Sequence, residues 1–302
     1  MRFIPFVLVF LTSAAAAEAQ QAGPGVESVT VTGTHERQML QSFVQSSAAP
    51  ARITGKLVRW DQGICPIVKG APQAFAERII ARLKAVALSV GAPVSSDPKC
   101  APNIQIAVTG KPQTLLDQVL KDKPDMLGYF DNEEQRIRAA RMVRSIQAWY
   151  MTETVDLRGH RHPDNRRGGG LEIYFRRDMP PIIIPGATDE NTTGSRLGDG
   201  LRTAFYQVLI VADADKLKDY AAGAPTDYIA LLALSWTGGL DICRPLPSIV
   251  NLLAAGCEAQ SDALTENDLA YLKGLYTMSA DRNLRTQQDE IAYQMEKSLK
   301  GR

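Results

Sequence analysis

His160 and His162 are the only closely spaced pair among the three histidines of this chain, standing as His-Arg-His with Asp164 shortly after. On a strand, an H-x-H pair puts both imidazoles on one face, which suits a transition metal, and Asp164 could add a third ligand. Residues 159–170 (GHRHPDNRRGGG) are polar and glycine-rich, however, and Gly159 and Pro163 flank the pair. That composition favours the simpler reading of an exposed hairpin tip. No metal or other cofactor is therefore expected, with His160, His162 and Asp164 kept as the weak metal candidates. His35 falls in a polar lead-in and reads as incidental.

Other reactive patterns are incomplete. No G-x-S-x-G occurs, and Ser248 after Pro247 reads as a helix-start residue rather than a nucleophile. Gly168-Gly169-Gly170 lacks the Lys-Ser/Thr ending of a phosphate loop. Asp213, Asp215 and Asp219 alternate as calcium ligands can, but without the glycine and distal glutamate of a calcium loop. Lys216 and Lys218 balance them as a polar turn would. Arg136, Arg138, Arg141 and Arg144 read as a solvated helix face. An anion-binding face would need arginines converging from a second element as well.

The address bounds the chemistry further. Met1-Arg2, the apolar run FIPFVLVFL over residues 3–11, and Ala17-Glu18-Ala19 before Gln20 have the layout of a cleaved secretory signal. The run is too short to span a bilayer, and no later stretch reaches that length, so no transmembrane anchor is expected. A periplasmic or secreted protein follows. Its four cysteines, Cys65, Cys100, Cys243 and Cys257, then become disulfides rather than nucleophiles. Four cysteines allow three pairings. Local loop closure favours Cys65–Cys100 and Cys243–Cys257 over the others. A net charge of +1 gives no footprint for nucleic acid or for an anionic membrane.

The elements that must position these residues are partly legible. Residues 20–50 are rich in Ser, Gln, Ala and Gly and read as a flexible lead-in with one strand-like patch at 28–32. Residues 53–60 read as a strand. Residues 72–90 carry Phe75, Ile79, Ile80, Leu83, Val86, Ala87 and Val90 at helical spacing, opened by Pro72 and stopped by Gly91. Residues 103–109 read as a strand. Helices are expected at 113–122 and 133–146. Residues 149–157 and 171–175 read as the two arms of a long hairpin, and 205–211 as a strand. The C-terminal part reads as helical, at 227–234, 247–253, from a Thr265/Asp268 capping box onward, and at 287–299.

Two stretches carry a family resemblance. One runs from Cys65-Pro66 through Ala87, Gly91-Ala92-Pro93 and Cys100 to Pro102-Asn103-Ile104. The other runs from Asp227-Tyr228-Ile229-Ala230 through Cys243, Leu246-Pro247-Ser248-Ile249, Cys257 and Leu264-Thr265-Glu266-Asn267-Asp268 to Leu275-Tyr276. Together they cover about half the mature chain, and they resemble a family of bacterial exported proteins that has no assigned activity. The order of edge strand, helix, Ser-Ile segment and Leu-Thr-x-x-Asp is also similar to zincin-type metallopeptidases. That similarity implies H-E-x-x-H on the helix at residues 227–234, yet Asp227, Tyr228 and Leu231 occupy the motif positions. It therefore implies a scaffold without its metal site, with a groove beside an edge strand at 205–211 for a peptide.

The resulting expectation is an α/β (α+β) protein with a mixed sheet and packed helices. It has a signal at 1–19, a lead-in at 20–50 and one domain at 51–302, made of an α/β half (51–212) and a helical half (213–302). Its expected role is non-catalytic binding of an envelope protein or peptide. The alternative is a hydrolase or metal-dependent enzyme using His160 and His162.

Overall fold

The computed structural model describes residues 33–164, 171–173, 182–184, 200–221 and 223–300. The expected export signal at 1–19, the strand-like patch at 28–32 and the triglycine at 168–170 lie outside the described residues. The fold is α+β, with a mixed six-stranded sheet and a helical C-terminal half. The strands in sheet order are β2 (Pro66–Lys69), β3 (Ile104–Thr109), β8 (Arg202–Asp213), β4 (Ile146–Val155) and β5 (Arg161–Pro163). β1 (Val58–Arg59) pairs with β8 as well. The pairs β1–β8, β2–β3 and β3–β8 are parallel, whereas β4 runs antiparallel to both β8 and β5. A separate ribbon pairs β6 (Leu171–Ile173) with β7 (Ile182–Ile184).

Strand alternation divides β8 between two cores. Val208, Ile210 and Ala212 enter the large core, while Leu209 and Val211 enter a smaller one with Trp149 and Met151. The smaller core is closed by α3 (Pro112–Asp122) through Leu116, by a 3-10 turn (Pro124–Leu127) through Leu127, and by Ala140. Gly128 follows that turn in extended, positive-φ geometry, at φ 91°. A Cβ there would lie 2.4 Å from the Tyr150 carbonyl oxygen, so only glycine lets this segment lie along β4.

The large core is built on α2 (Gln73–Val90) and α5 (Ala224–Leu234). α2 sits where its punctuation predicts. Pro72 is the residue before it, Gly91 adopts a left-handed turn at its end, and Ile79, Leu83, Val86, Ala87 and Val90 face inward. Every residue of α5 is buried, so its backbone ends cannot reach bulk water. Aromatic donors replace the solvent. Tyr150 Oη donates to the Leu232 carbonyl at 3.0 Å, Trp60 Nε1 to Ala233 at 2.8 Å and Tyr276 Oη to Leu234 at 2.8 Å. Asp227, buried in the first turn of α5, is held by both nitrogens of the Arg82 fork from α2, at 2.6 and 3.1 Å.

α6 (Glu266–Thr277) starts with the expected capping box, in which Thr265 accepts from the Asp268 N–H and the Asp268 carboxylate accepts from the Thr265 N–H. α7 (Leu284–Lys300) packs on α6 through Ile291. The two disulfides are Cys65–Cys100 and Cys243–Cys257.

Four expectations are corrected. The lead-in at 20–50 contains a helix, α1 (Gly33–Ser47), because Leu40, Phe43 and Val44 form a short apolar stripe that is buried in the large core. The Phe43 ring meets Tyr271 edge-on at 6.2 Å. The strand expected at 53–60 shrinks to β1, because residues 51–56 form a turn closed by Ala51 N–H to the Lys56 carbonyl. The helix at 133–146 stops early, as α4 (Glu133–Ala139), since Ile146 is claimed by pairing with Ala212 on β8. The long hairpin is not formed, because β4 turns back directly into β5 and residues 171–173 pair with 182–184 instead.

A further correction concerns residues 205–211. They lie in β8, which is hydrogen-bonded to β1 and β3 on one side and to β4 on the other, so no edge groove runs beside them. The sheet's own edge at β2 is short, opened by Pro66 and closed by Lys69, which discourages strand addition.

Candidate functional site

The expected ligands His160, His162 and Asp164 lie where β4 turns into β5, and strand register decides what they touch. Thr152 and Thr154 share one face of β4 by alternation, and both hydroxyls meet Asp164, at 2.5 and 2.8 Å. The Asp164 N–H also bonds the Thr152 carbonyl. Burial pushes the Asp164 carboxyl above the ordinary aspartate range, against the hydroxyl donors that hold it down.

His160 is held by a different acid, Asp156. Its Oδ1 accepts the backbone N–H groups of Arg158 and His160, each at 2.8 Å. Its Oδ2 faces His160 Nδ1 at 2.9 Å and His162 Nε2 at 4.0 Å. Burial opposes the charge on Asp156, but these donors outweigh it and hold the carboxyl below its usual range. The side chain of His160 is 61% exposed. The structure thus joins His160 to Asp156 and Asp164 to the threonines, and leaves His162 Nε2 buried without a hydrogen-bond partner. Among the described residues, no three His, Cys, Asp or Glu side chains are grouped to hold a metal ion.

Beside this turn lies an ion-pair network that sequence reading missed. Arg161 bridges the buried Glu153, through Nη1, and Asp61, through Nη2 at 2.9 Å. Arg202 Nε lies 3.5 Å from the same Asp61 oxygen. Burial lifts the Glu153 carboxyl above its ordinary value, and Arg161 offsets part of that lift. Asp156 was detectable in principle, because an acid four residues before His160 with a glycine between them signals a tight turn. Asp61 comes from the loop after β1, far away in sequence, and nothing local points to it.

The remaining sequence candidates are locally engaged. Ser248 caps a 3-10 turn (Ile249–Leu253) by accepting from the Val250 N–H, and it also donates to Asp268. Asp213 faces Lys216 at 3.7 Å and Asp215 faces Lys218 at 2.9 Å, as a polar turn would. Arg136 and Arg138 pair with Glu133 and Glu134 on their own helix. Arg144 departs from that pattern. It stands just before β4, and its Nη2 lies 2.5 Å from Asp241 in another segment. Tyr228 on α5 is wholly buried, and Arg244, in the loop that holds Asp241, is 2% exposed. Burial raises the Tyr228 phenol well above its usual range, and the charges of Arg144 and Arg244 both act against that rise. No family model, no curated protein and no solved structure matches this chain.

Proposed function

We propose that the chain is an exported protein of the cell envelope, periplasmic or secreted, which binds a peptide or protein partner and performs no catalysis of its own. The carrying observation is that its candidate reactive groups are held by structural partners. Asp164 is bonded by two threonines, Ser248 is bonded to Asp268, and all four cysteines are in disulfides. The signal at residues 1–19 and the two disulfides support a compartment outside the cytoplasm. We also propose kinship with the exported bacterial family that its two motif stretches resemble, on a scaffold derived from zincins.

With β8 inside the sheet, the partner needs another face. Val143 and Ile242 are 67% and 60% exposed, and they adjoin in sequence the two ends of the Arg144–Asp241 ion pair. A pair of exposed aliphatic side chains around a charged pair is the composition of a small recognition patch. We place the partner there. The test is affinity capture from envelope extract by the mature protein and by Val143→Asp/Ile242→Asp. The reading predicts a partner retained by the native protein and lost from the double variant. Equal retention by both contradicts it.

The Asp156–His160 contact favours a second reading, a hydrolase with His160 as general base, since a carboxylate on Nδ1 orients an imidazole for that role. Esterase and peptidase assays on the native protein and His160→Ala, with metal content measured on the same samples, separate the readings. Turnover that His160→Ala abolishes, or stoichiometric zinc, would favour the enzyme.

A further inference from the structure

We propose that the cleft between α1 and α7 is a binding site for a small zwitterion, a free amino acid with an apolar or aromatic side chain. The cleft has a volume of about 310 Å³ and is lined by Arg37 and Gln41 on α1 and by Arg285, Asp289, Ala292 and Tyr293 on α7. That volume lies at the small end of ligand sites, which run from roughly 300 to 1,000 Å³. The two helices run antiparallel, because Arg37 meets Glu296 while Gln41 meets Asp289. Arg285, Asp289 and Tyr293 follow one another at intervals of four residues, so they form one stripe along α7.

The charges in this stripe do not satisfy one another. At the same spacing, Glu134 and Arg138 close to 2.6 Å, and Glu296 and Lys300 to 2.8 Å. Arg285 and Asp289 form no such pair, and the Arg285 guanidinium has no hydrogen-bond or charge partner among the described residues. Asp289 receives the Gln41 amide at 3.5 Å, the outer limit of a hydrogen bond. Arg37 differs, because Glu296 engages it at 3.0 Å. One cation and one carboxylate thus line the same space, a single helical turn apart, and each is available.

Opposite charges that share a cleft without pairing match a ligand that carries both signs. Arg285 takes the ligand's carboxylate through its planar fork, and Asp289 takes the ammonium group. The Gln41 carboxamide oxygen supplies a further acceptor for that ammonium. Ala292 is 4% exposed and gives a floor with no side chain beyond Cβ. The Tyr293 ring, 56% exposed, is the wall on which the ligand's side chain packs. Because the charged groups are open to water, added salt weakens the attraction.

The proposal goes beyond partner binding and does not depend on it, since the cleft shares no residue with the face around Arg144 and Asp241. Its test is calorimetric titration of the purified protein, at low ionic strength, with phenylalanine, N-acetylphenylalanine and phenylalaninamide. The last two lack the ammonium and the carboxylate respectively. Saturable binding of phenylalanine is expected, with both analogues bound about tenfold more weakly. Arg285→Gln and Asp289→Asn alter exposed side chains and should leave the unfolding temperature unchanged. Arg285→Gln should bind phenylalanine about tenfold more weakly and no longer prefer it to phenylalaninamide. Asp289→Asn should lose the preference over N-acetylphenylalanine by the same factor. Arg138→Gln, on the solvated face of α4, should bind as the native protein does. Absence of saturable phenylalanine binding by the folded native protein overturns the site. So does equal affinity for phenylalanine and either analogue, or affinity unchanged in either cleft variant.

Discussion

Asp164 is the residue whose expected and observed roles differ most. As a metal ligand it would need to be ionised and shared with the histidines. Instead it sits under two threonine hydroxyls, with its carboxyl pushed up by burial. A carboxyl whose folded pKa lies above its unfolded one favours the folded state in its protonated form. That contribution is complete below about pH 4 and is lost as the pH rises through the folded value. Asp164→Asn stays neutral throughout. Measured by urea unfolding, the variant should therefore gain stability relative to the native protein between pH 3.5 and pH 7. A constant difference across that range would show that burial does not govern this carboxyl. Asp268 is also buried, but its oxygens receive Ser248 Oγ and the N–H groups of Ile249 and Thr265. Asp268→Ala should cost about 2–4 kcal/mol in the same assay, since three donors lose their acceptor at once.

Elements were legible where local chemistry brackets them. Pro72 and Gly91 mark the limits of α2, and Thr265 with Asp268 marks the start of α6, because caps act within a few residues. Thr265→Ala should destabilise by about 1 kcal/mol. The misread elements are those decided by distant partners. α1 has few apolar residues in a Ser/Gln-rich background, and its order comes from burying Leu40, Phe43 and Val44 in a core assembled far along the chain. Phe43→Ala should cost about 3–5 kcal/mol by denaturant unfolding, whereas a flexible lead-in would predict no change. The helix expected through Ile146 gave way to strand pairing for the same reason, a tertiary demand overriding local propensity. At the site, the His160–His162 pair was readable from its spacing. Its carboxylate, Asp156, was overlooked, and the Arg144–Asp241 pair had no local signal because its members meet only in the fold.

At the scale of the molecule, the bridges close loops with sequence separations of 35 and 14 residues. The paired replacement of Cys65 and Cys100 by serine should lower stability by about 3–4 kcal/mol, through the freedom returned to the unfolded chain. Those bridges fit a protein outside the cytoplasm, where disulfides persist, and we propose that it holds a partner there. The central claim is partner binding at the face around Arg144 and Asp241, and site-specific photo-crosslinking in intact cells tests it most directly. A photoreactive residue placed at 143 or 242 should form a discrete adduct with a partner. The same residue at the equally exposed position 88 on α2 should form none. Indistinguishable labelling from all three positions, or no adduct from 143 and 242, would contradict the account.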